Sequence, residues 1–316
     1  MPITPLEGKD PLSGALKPVS VLGKLYCFSE FSAPWAVSFS KKKEALFHII
    51  LKGKCFLMHS EEKNPVALDQ GDLLVFPKGV PHVLSDTREG LSVSFLKLVQ
   101  GLKGPIPVVR HGGGGKKTKI VCGTFEIETG EESPLLQVLP EVMHINASSL
   151  SARWLNGTVE LLTHEARNFG NGSALIVSGL INLLLVQAVR LWIDNQPEGN
   201  GTGFLGALQD RRIAAAIAAI HSQPEKEWSV ESLAKIAGMS RSSFSAYFSS
   251  NIGQPPLSYV TNWRMQVAAQ VLRKNTKMSL SRVSEEVGYF SQHAFSKAFK
   301  RYHGISPSEF RMQHSS

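Results

Sequence analysis

Residues 232–256, SLAKIAGMSRSSFSAYFSSNIGQPP, and residues 282–307, RVSEEVGYFSQHAFSKAFKRYHGISP, can be laid over each other with one extra residue after the glycine of the second. Gly238 then matches Gly288, Phe244 and Phe248 match Phe295 and Phe299, Gly253 matches Gly304, and Pro256 matches Pro307. A unit that occurs twice has to be small. Each copy runs from an apolar-periodic segment through a glycine to a second segment whose aromatic pair is four residues apart. That order predicts helix, turn, helix. Ser229 can cap the first helix, because its hydroxyl accepts from the unpaired amides of the first turn. Gly238 ends that helix, since a left-handed residue costs little only for glycine. Phe244 and Phe248, at i and i+4, share a face and lock the second helix onto the first. Val283, Val287, Phe295 and Phe299 repeat the logic.

A single helix-turn-helix pattern also occurs in αα-hairpins that never touch DNA, so charge has to arbitrate. The chain of 316 residues carries +8 in total. Of this, +7 falls on residues 206–316 and +1 on residues 1–205. Concentrated positive charge neutralises phosphates and releases counterions. Between the copies, Leu257–Lys274 has no Gly or Pro and reads as one helix. At 1.5 Å per residue it spans ~27 Å, against the ~34 Å at which major-groove faces recur on one side of B-DNA. One monomer can therefore address two successive grooves.

Residues from about Asp210 to Arg311 resemble the DNA-binding domain of the AraC/XylS family of bacterial transcription regulators. The residues that carry the resemblance are Ser232-Leu-Ala-Lys-Ile-Ala-Gly-Met-Ser240, Gly288-Tyr-Phe-Ser291, Phe295, Phe299 and Gly304-Ile-Ser-Pro307. The resemblance implies base contacts from the exposed positions of the two second helices. These are Ser242, Ser245 and Ala246 in the first, and Gln292, His293, Ser296 and Lys297 in the second. Arg241, Lys300 and Arg301 look like phosphate contacts, the alternative for each being a solvated surface charge. The first second-helix departs from the family pattern, with small Ser and Ala where longer polar side chains are frequent. Its readout is expected to rest on short hydroxyl or methyl contacts, or on DNA shape.

The N-terminal half has a different period. Leu46–Leu51 reads as a strand, Lys52-Gly53 as a turn and Cys55–His59 as the return partner. Asp72–Phe76, Leu91–Val99 and Ile120–Ile127 read as further strands. Residues 1–34 give little periodicity. Many short strands with tight turns point to a β-barrel or sandwich. Gly71-Asp-Leu-Leu-Val-Phe-Pro77-Lys-Gly79-Val-Pro-His82 fits the second cupin motif. With His48 and Gly53, the region resembles the small cupin barrel that precedes the DNA-binding domain in many of these regulators. Ile120–Phe125 and Pro134–Pro140 resemble one subgroup of those sensor domains.

Metal-dependent cupins supply His-x-His and a Glu from their first motif. Here Ile50 stands at the second position, and Lys54 and Cys55 stand where the Glu would fall. His48 and His82 are too few for a closed site, so neither metal nor other cofactor is expected. The alternative is a metal-dependent cupin enzyme fused to a DNA-binding domain, completed by a side chain such as His59. Cys122 is a candidate sensing residue: alternation puts it on the more polar face of its strand, downstream of Lys116, Lys117 and Lys119. A partly exposed thiol near positive charge has a lowered pKa and reacts with oxidants or electrophiles, with Cys27 or Cys55 as partner. The alternative is an inert Cys filling a small strand site. The run His111-Gly-Gly-Gly-Gly-Lys116 reads as a flexible inter-strand loop and not as a phosphate loop.

Two helical patterns follow, Ser149–Phe169 and Ser173–Asn195, broken by Gly170-Asn-Gly172. Ala174–Ile193 is long and apolar, but Asn182, Gln187 and Arg190 interrupt it, so it reads as a core or interface helix, not a membrane span. In the family such a hairpin commonly forms the dimer contact. Together these readings give an α+β, multidomain chain: a cupin-like sensor barrel over 1–147, a helical hairpin over 148–195, a linker over 196–206 and an all-α DNA-binding domain over 207–316. The expected protein is a cytoplasmic, homodimeric regulator and not an enzyme. It binds promoter DNA, recruits RNA polymerase as an activator and takes a small-molecule or oxidant effector.

Overall fold

The computed structural model describes residues 21–61, 64–88, 91–104, 106–127, 139–147, 153–195 and 210–313. They form two compact units. One holds residues 21–127 and 139–195, and the other the C-terminal helices.

The first unit is built on two sheets. One has the order β11-β6-β3-β10-β1-β9, with β1 Val21–Ser32, β3 Ala45–Lys52, β6 Leu73–Phe76, β9 Val108–Gly112, β10 Lys117–Ile127 and β11 Met143–Ile145. The other has the order β5-β4-β7-β2-β8, with β2 Ala36–Phe39, β4 Cys55–His59, β5 Val66–Leu68, β7 His82–Ser85 and β8 Val93–Ser94. Cys27, Phe31, Val37, Ile50, Leu57, Phe76 and Leu84, from both sheets, bury one shared core. β10 is central: it pairs antiparallel with β1, placing Cys27 opposite Cys122, and with β3, placing His48 opposite Cys122.

Three expectations change here. Cys55–His59 is a strand, but it does not return along Leu46–Leu51. Both edges of β3 are occupied, by β6 and β10, so Gly53 (φ 85°) turns the chain into the second sheet, where β4 pairs with β5 and β7. Leu91–Val99 is not one strand. After β8 it becomes the short helix α1, Phe95–Val99, because Phe95, Leu98 and Val99 reach the core together only at helical spacing. Residues 21–32, within the stretch of little periodicity, form the long strand β1, whose residues are fixed by pairing with both β9 and β10.

Helices α2 (Arg153–Arg167) and α3 (Ser173–Asp194) make the predicted hairpin from residue 153 onward. α3 lies on β1: the Gly23 amide donates to Asn182 Oδ1 at 3.0 Å, and a Cβ on Gly23 would overlap Ile181. α3 is long and apolar enough to cross a membrane by length and composition alone, and Ile181, Leu184, Leu185, Ala188 and Val189 on it are buried. The start of the first helical pattern (149–152), part of 134–140 and the linker over 196–206 lie outside the described residues.

The second unit is all helix: α4 Arg211–Ser222, α5 Val230–Ile236, α6 Arg241–Ile252, α7 Pro256–Lys274, α8 Leu280–Glu286, α9 Gln292–His303 and α10 Pro307–Gln313. Ser229 caps α5 in a reciprocal capping box with Ser232, and Ser240 and Ser291 cap α6 and α9. Gly238 (φ 64°) and Gly288 (φ 75°) are both left-handed. Gly238 has free space around it, whereas a Cβ on Gly288 would meet the Glu225 carbonyl and Arg264. The second turn is therefore pressed against the rest of its domain and the first is not.

Candidate nucleic-acid interface and sensor cavity

In α6, Phe244 and Phe248 are fully buried with ring centroids 5.4 Å apart; in α9, Phe295 and Phe299 are fully buried at 5.7 Å. Each pair fixes the roll of its helix, and the opposite face is what remains for a partner. Arg241, Ser242 and Ala246 are exposed on α6 and Ser245 is half-buried. On α9, Gln292, His293, Lys297, Lys300 and Arg301 are exposed and Ser296 is half-buried. Among the described residues no carboxylate forms an ion pair with Arg241, Lys297, Lys300 or Arg301. The two faces are unequal, since α6 carries one cation and α9 three. α6 is tied to the N-terminus of α4 by Tyr247, whose hydroxyl donates to Asp210 Oδ2 at 2.7 Å. The Arg212 guanidinium, with that hydroxyl, holds the Asp210 carboxyl well below the usual carboxylate range.

In the barrel unit, Cys122, His48 and His82 come together. His48 Nδ1 is 3.1 Å from Cys122 Sγ, the two imidazole Nε2 atoms are 2.9 Å apart, and His82 Nδ1 is 2.9 Å from the Val80 carbonyl oxygen. His48, His82 and Cys122 are 2%, 3% and 4% exposed, so each is held neutral by the cost of burying charge. A carbonyl only accepts, which puts the His82 proton on Nδ1. His82 Nε2 then accepts from His48 Nε2–H, and His48 Nδ1 accepts from the Cys122 thiol. Each proton in the chain has one place. Burial lowers His48 well below the ordinary histidine range and lowers His82 to about 4. Burial, reinforced by Cys27, pushes Cys122 well above the ordinary thiol range.

The His82 ring is sandwiched between Phe76, at 3.8 Å between centroids, and Phe39, at 4.8 Å. Beside it opens a cavity of about 380 Å³ whose walls include Leu25, Phe39, Leu46 and Phe95, with His48 and Cys122 among the lining residues. As a metal site the pair fits poorly. The two Nε2 atoms are spent on each other, and among the described residues no group of three His, Cys, Asp or Glu is arranged to hold an ion. His59 stands opposite His82 in the β4–β7 ladder without joining the chain.

Comparison with known proteins separates the same two parts. The family described as Cupin matches residues 10–194, more than half of the chain, and the family described as Helix-turn-helix domain matches residues 233–313. An uncharacterized HTH-type transcriptional regulator of Haemophilus influenzae is 33% identical over 92% of this chain and 94% of its own length. The chain belongs to the AraC-type helix-turn-helix transcriptional regulators. The HTH-type transcriptional regulator MtrA of Neisseria gonorrhoeae is 30% identical over 85% of this chain and 87% of that one. The RCS-specific HTH-type transcriptional activator RclR of Escherichia coli is 35% identical over 62% of this chain and 68% of that one. The molecule is a DNA-binding transcription regulator with a cupin barrel ahead of its helix-turn-helix domain.

In this AraC-type regulator the environment of Cys122 differs from the sequence expectation. The thiol is not partly exposed and its pKa is raised, not lowered. Lys117 and Lys119 stand on alternate residues of β10 from Cys122, and Lys119 pairs with Glu30 at 2.8 Å instead. Cys27 does neighbour Cys122, with the Ser29 hydroxyl 3.7 Å from one sulfur and 4.0 Å from the other; Cys55, whose thiol burial pushes up to about 12, forms no bond with either. Phe39, Phe76 and Val80, which complete the chain, escaped the sequence reading. Val80 lies inside the cupin-like motif and was findable, whereas Phe39 sits on a short strand with no local signal.

The buried imidazoles make stability depend on pH with a definite sign. Unfolded, His82 titrates near 6.5; folded, it titrates near 4. The unfolded chain therefore binds more protons between those values, and stability falls as pH drops through that window. Thermal unfolding of the barrel unit within the full chain should shift to lower temperature from pH 6.5 to pH 4. A His82→Gln variant should show a shallower decline.

Proposed function

We propose that the barrel over residues 1–147 senses a small molecule or oxidant through the cavity beside Cys122, His48 and His82. The hairpin over 148–195 then sets a homodimer, and the domain over 207–316, after a linker over 196–206, reads a promoter and activates transcription by recruiting RNA polymerase. The observation that carries this reading is the pairing of two exposed helix faces on repeated, Phe-locked units with a separate domain that encloses a cavity. The naming of the Escherichia coli relative as an activator favours activation over repression. We take the protein to be cytoplasmic and not an enzyme, a reading supported by the naming of its relatives as transcriptional regulators. Burial keeps the Cys122 thiol protonated at rest, which suits a residue that responds only after something enters the cavity.

Lys297 is taken as a direct DNA contact. Fragmented bacterial DNA captured by the reduced protein should share a motif with blocks about 10 bp apart. Lys297→Ala should weaken that binding about ten-fold and relax the base preference at one position of the motif. Run-off transcription from the captured promoter should rise when polymerase and protein are both present. A captured pool without any motif, at several salt concentrations, would remove the base-reading assignment.

For the sensor, promoter output is compared across oxidants and small metabolites. Cys122→Ser should bind DNA like the wild type yet lose the response, and an unchanged response would discard Cys122 as the input.

The dimer reading draws on exposed Leu175, Ile176 and Leu183 of α3, apolar residues on a helix whose other side is buried. Sedimentation should give a dimer for the wild type and a monomer for the Leu175→Glu, Leu183→Glu double variant. A monomeric wild type, or an unchanged dimer in the variant, sinks this assignment.

A further inference from the structure

The two helix-turn-helix units differ in their turns by one residue, and alignment of the structures on their glycines and caps identifies it. Gly238-Met239-Ser240 leads into α6, whereas Gly288-Tyr289-Phe290-Ser291 leads into α9. Met239 and Tyr289 are equivalent: each is half-buried, and each donates its amide back to the preceding helix, to Ala234 O at 2.9 Å and Ser284 O at 2.8 Å. The additional residue is Phe290. It is 99% exposed, whereas the other phenylalanines of this domain (Phe244, Phe248, Phe295, Phe299 and Phe310) are buried.

The exposure is imposed by a turn held on several sides. Gly288 sits against the Glu225 carbonyl, and Arg264 donates to the carbonyls of Pro224 and Lys226, both at 2.8 Å, while its guanidinium lies over the Tyr289 ring. Tyr289 also meets Phe295 edge-on at 5.9 Å. On the other side Ser291 caps α9 through the Ala294 amide. With Tyr289 committed inward and Ser291 to the cap, Phe290 has only the outward direction. The residues that follow it in the chain, Ser291, Gln292 and His293, are exposed and polar. A protein-binding surface would need a contiguous apolar patch, whereas Gln292, His293, Lys297, Lys300 and Arg301, exposed on the adjoining helix α9, are polar or charged, as a DNA-facing surface requires.

We propose that Phe290 is a base-reading residue whose ring packs on the C5-methyl group of a thymine at the edge of the major groove. The proposal rests on α9 being a base-reading helix. The N-terminal residues of such a helix approach base edges, and Phe290 immediately precedes its cap. The thymine methyl is the one apolar feature of the major-groove edge, and Phe is among the side chains that contact it. The inserted residue gives the second unit a contact for which the first unit has no counterpart, in addition to the longer polar side chains of α9.

The test uses the full chain and the duplex it enriches from a random-sequence pool. Each thymine of that duplex is replaced in turn by deoxyuridine, which removes only the 5-methyl group. The wild type should bind about four-fold more weakly when one particular thymine is replaced, the effect of about one buried methyl. Phe290→Ala, with an unchanged thermal midpoint, should bind the thymine and uracil duplexes equally, at the level of the wild type on uracil. Wild-type indifference to every replacement overturns the proposal, and so does discrimination that persists in Phe290→Ala. A variant that binds every duplex like the wild type but yields less transcript assigns Phe290 to a protein contact and equally overturns it. If Lys297→Ala leaves binding intact while the Phe290 effect stands, the reading of Lys297 fails and this one does not. A pool without any enriched sequence removes both.

Discussion

Burial of two phenylalanines four residues apart is the constraint on which the DNA-binding domain depends. Once Phe244 with Phe248, and Phe295 with Phe299, are withdrawn from water, the roll of α6 and of α9 is no longer free. Each fully buried Phe is worth about 1.5–3 kcal/mol relative to exposure, more than any single surface contact on the opposite face. Packing therefore chooses the face left exposed, and the residues on that face are free to vary without cost to the fold. Ser242 and Ala246 on one helix and Gln292 and Lys297 on the other are two different fillings of the same geometry.

In the barrel the governing term is desolvation. Three groups that would each lose solvation on burial instead satisfy one another in a line from the Cys122 thiol to the Val80 carbonyl. The carbonyl end fixes every proton by elimination. Removing the Cys122 proton along the line would place positive charge on His82, between Phe39 and Phe76. Aromatic faces attract a cation, while burial disfavours charge there and lowers the His82 pKa to about 4. The arrangement is a closed hydrogen-bond chain running from a thiol to a carbonyl.

The helical half was legible because its signals are local. A cap, a left-handed glycine and an i,i+4 pair all lie within one turn or two of each other, so the sequence spells out α5, α6, α8 and α9. The barrel was legible in strand positions but not in pairing. Cys55–His59 reads as a hairpin partner of Leu46–Leu51 because short range favours that pairing, yet β6 and β10 take both edges of β3 with partners 24–30 and 67–80 residues away. Cys122 was misjudged for a related reason. Alternation separates the two faces of a strand but does not say what covers them. Here Cys122 and Ile120 face the shared interior of the sheets, while Val121 and Phe125 on the opposite face are buried as well. His48 and His82 were recognisable from a motif; that they would bond to each other was not, because it depends on two sheets facing across a core.

If α6 and α9 are the reading helices proposed above, their inequality has a consequence for how one chain would hold two grooves. α9 brings three cations and long polar groups, so on that assignment it would retain appreciable affinity through phosphates. α6 brings one cation and short hydroxyls, and its share of free binding is correspondingly small. Joined through the 19-residue α7, the weaker helix need not find DNA independently. Once α9 were engaged, α6 would be presented to the next groove at an effective concentration set by the connecting helix, and weak contacts would suffice there. Such contacts discriminate poorly by hydrogen bonding but are sensitive to whether the groove lies where the connecting helix places it. On the proposed assignment the second unit would select the sequence, and the first would test the spacing and shape of the DNA beside it.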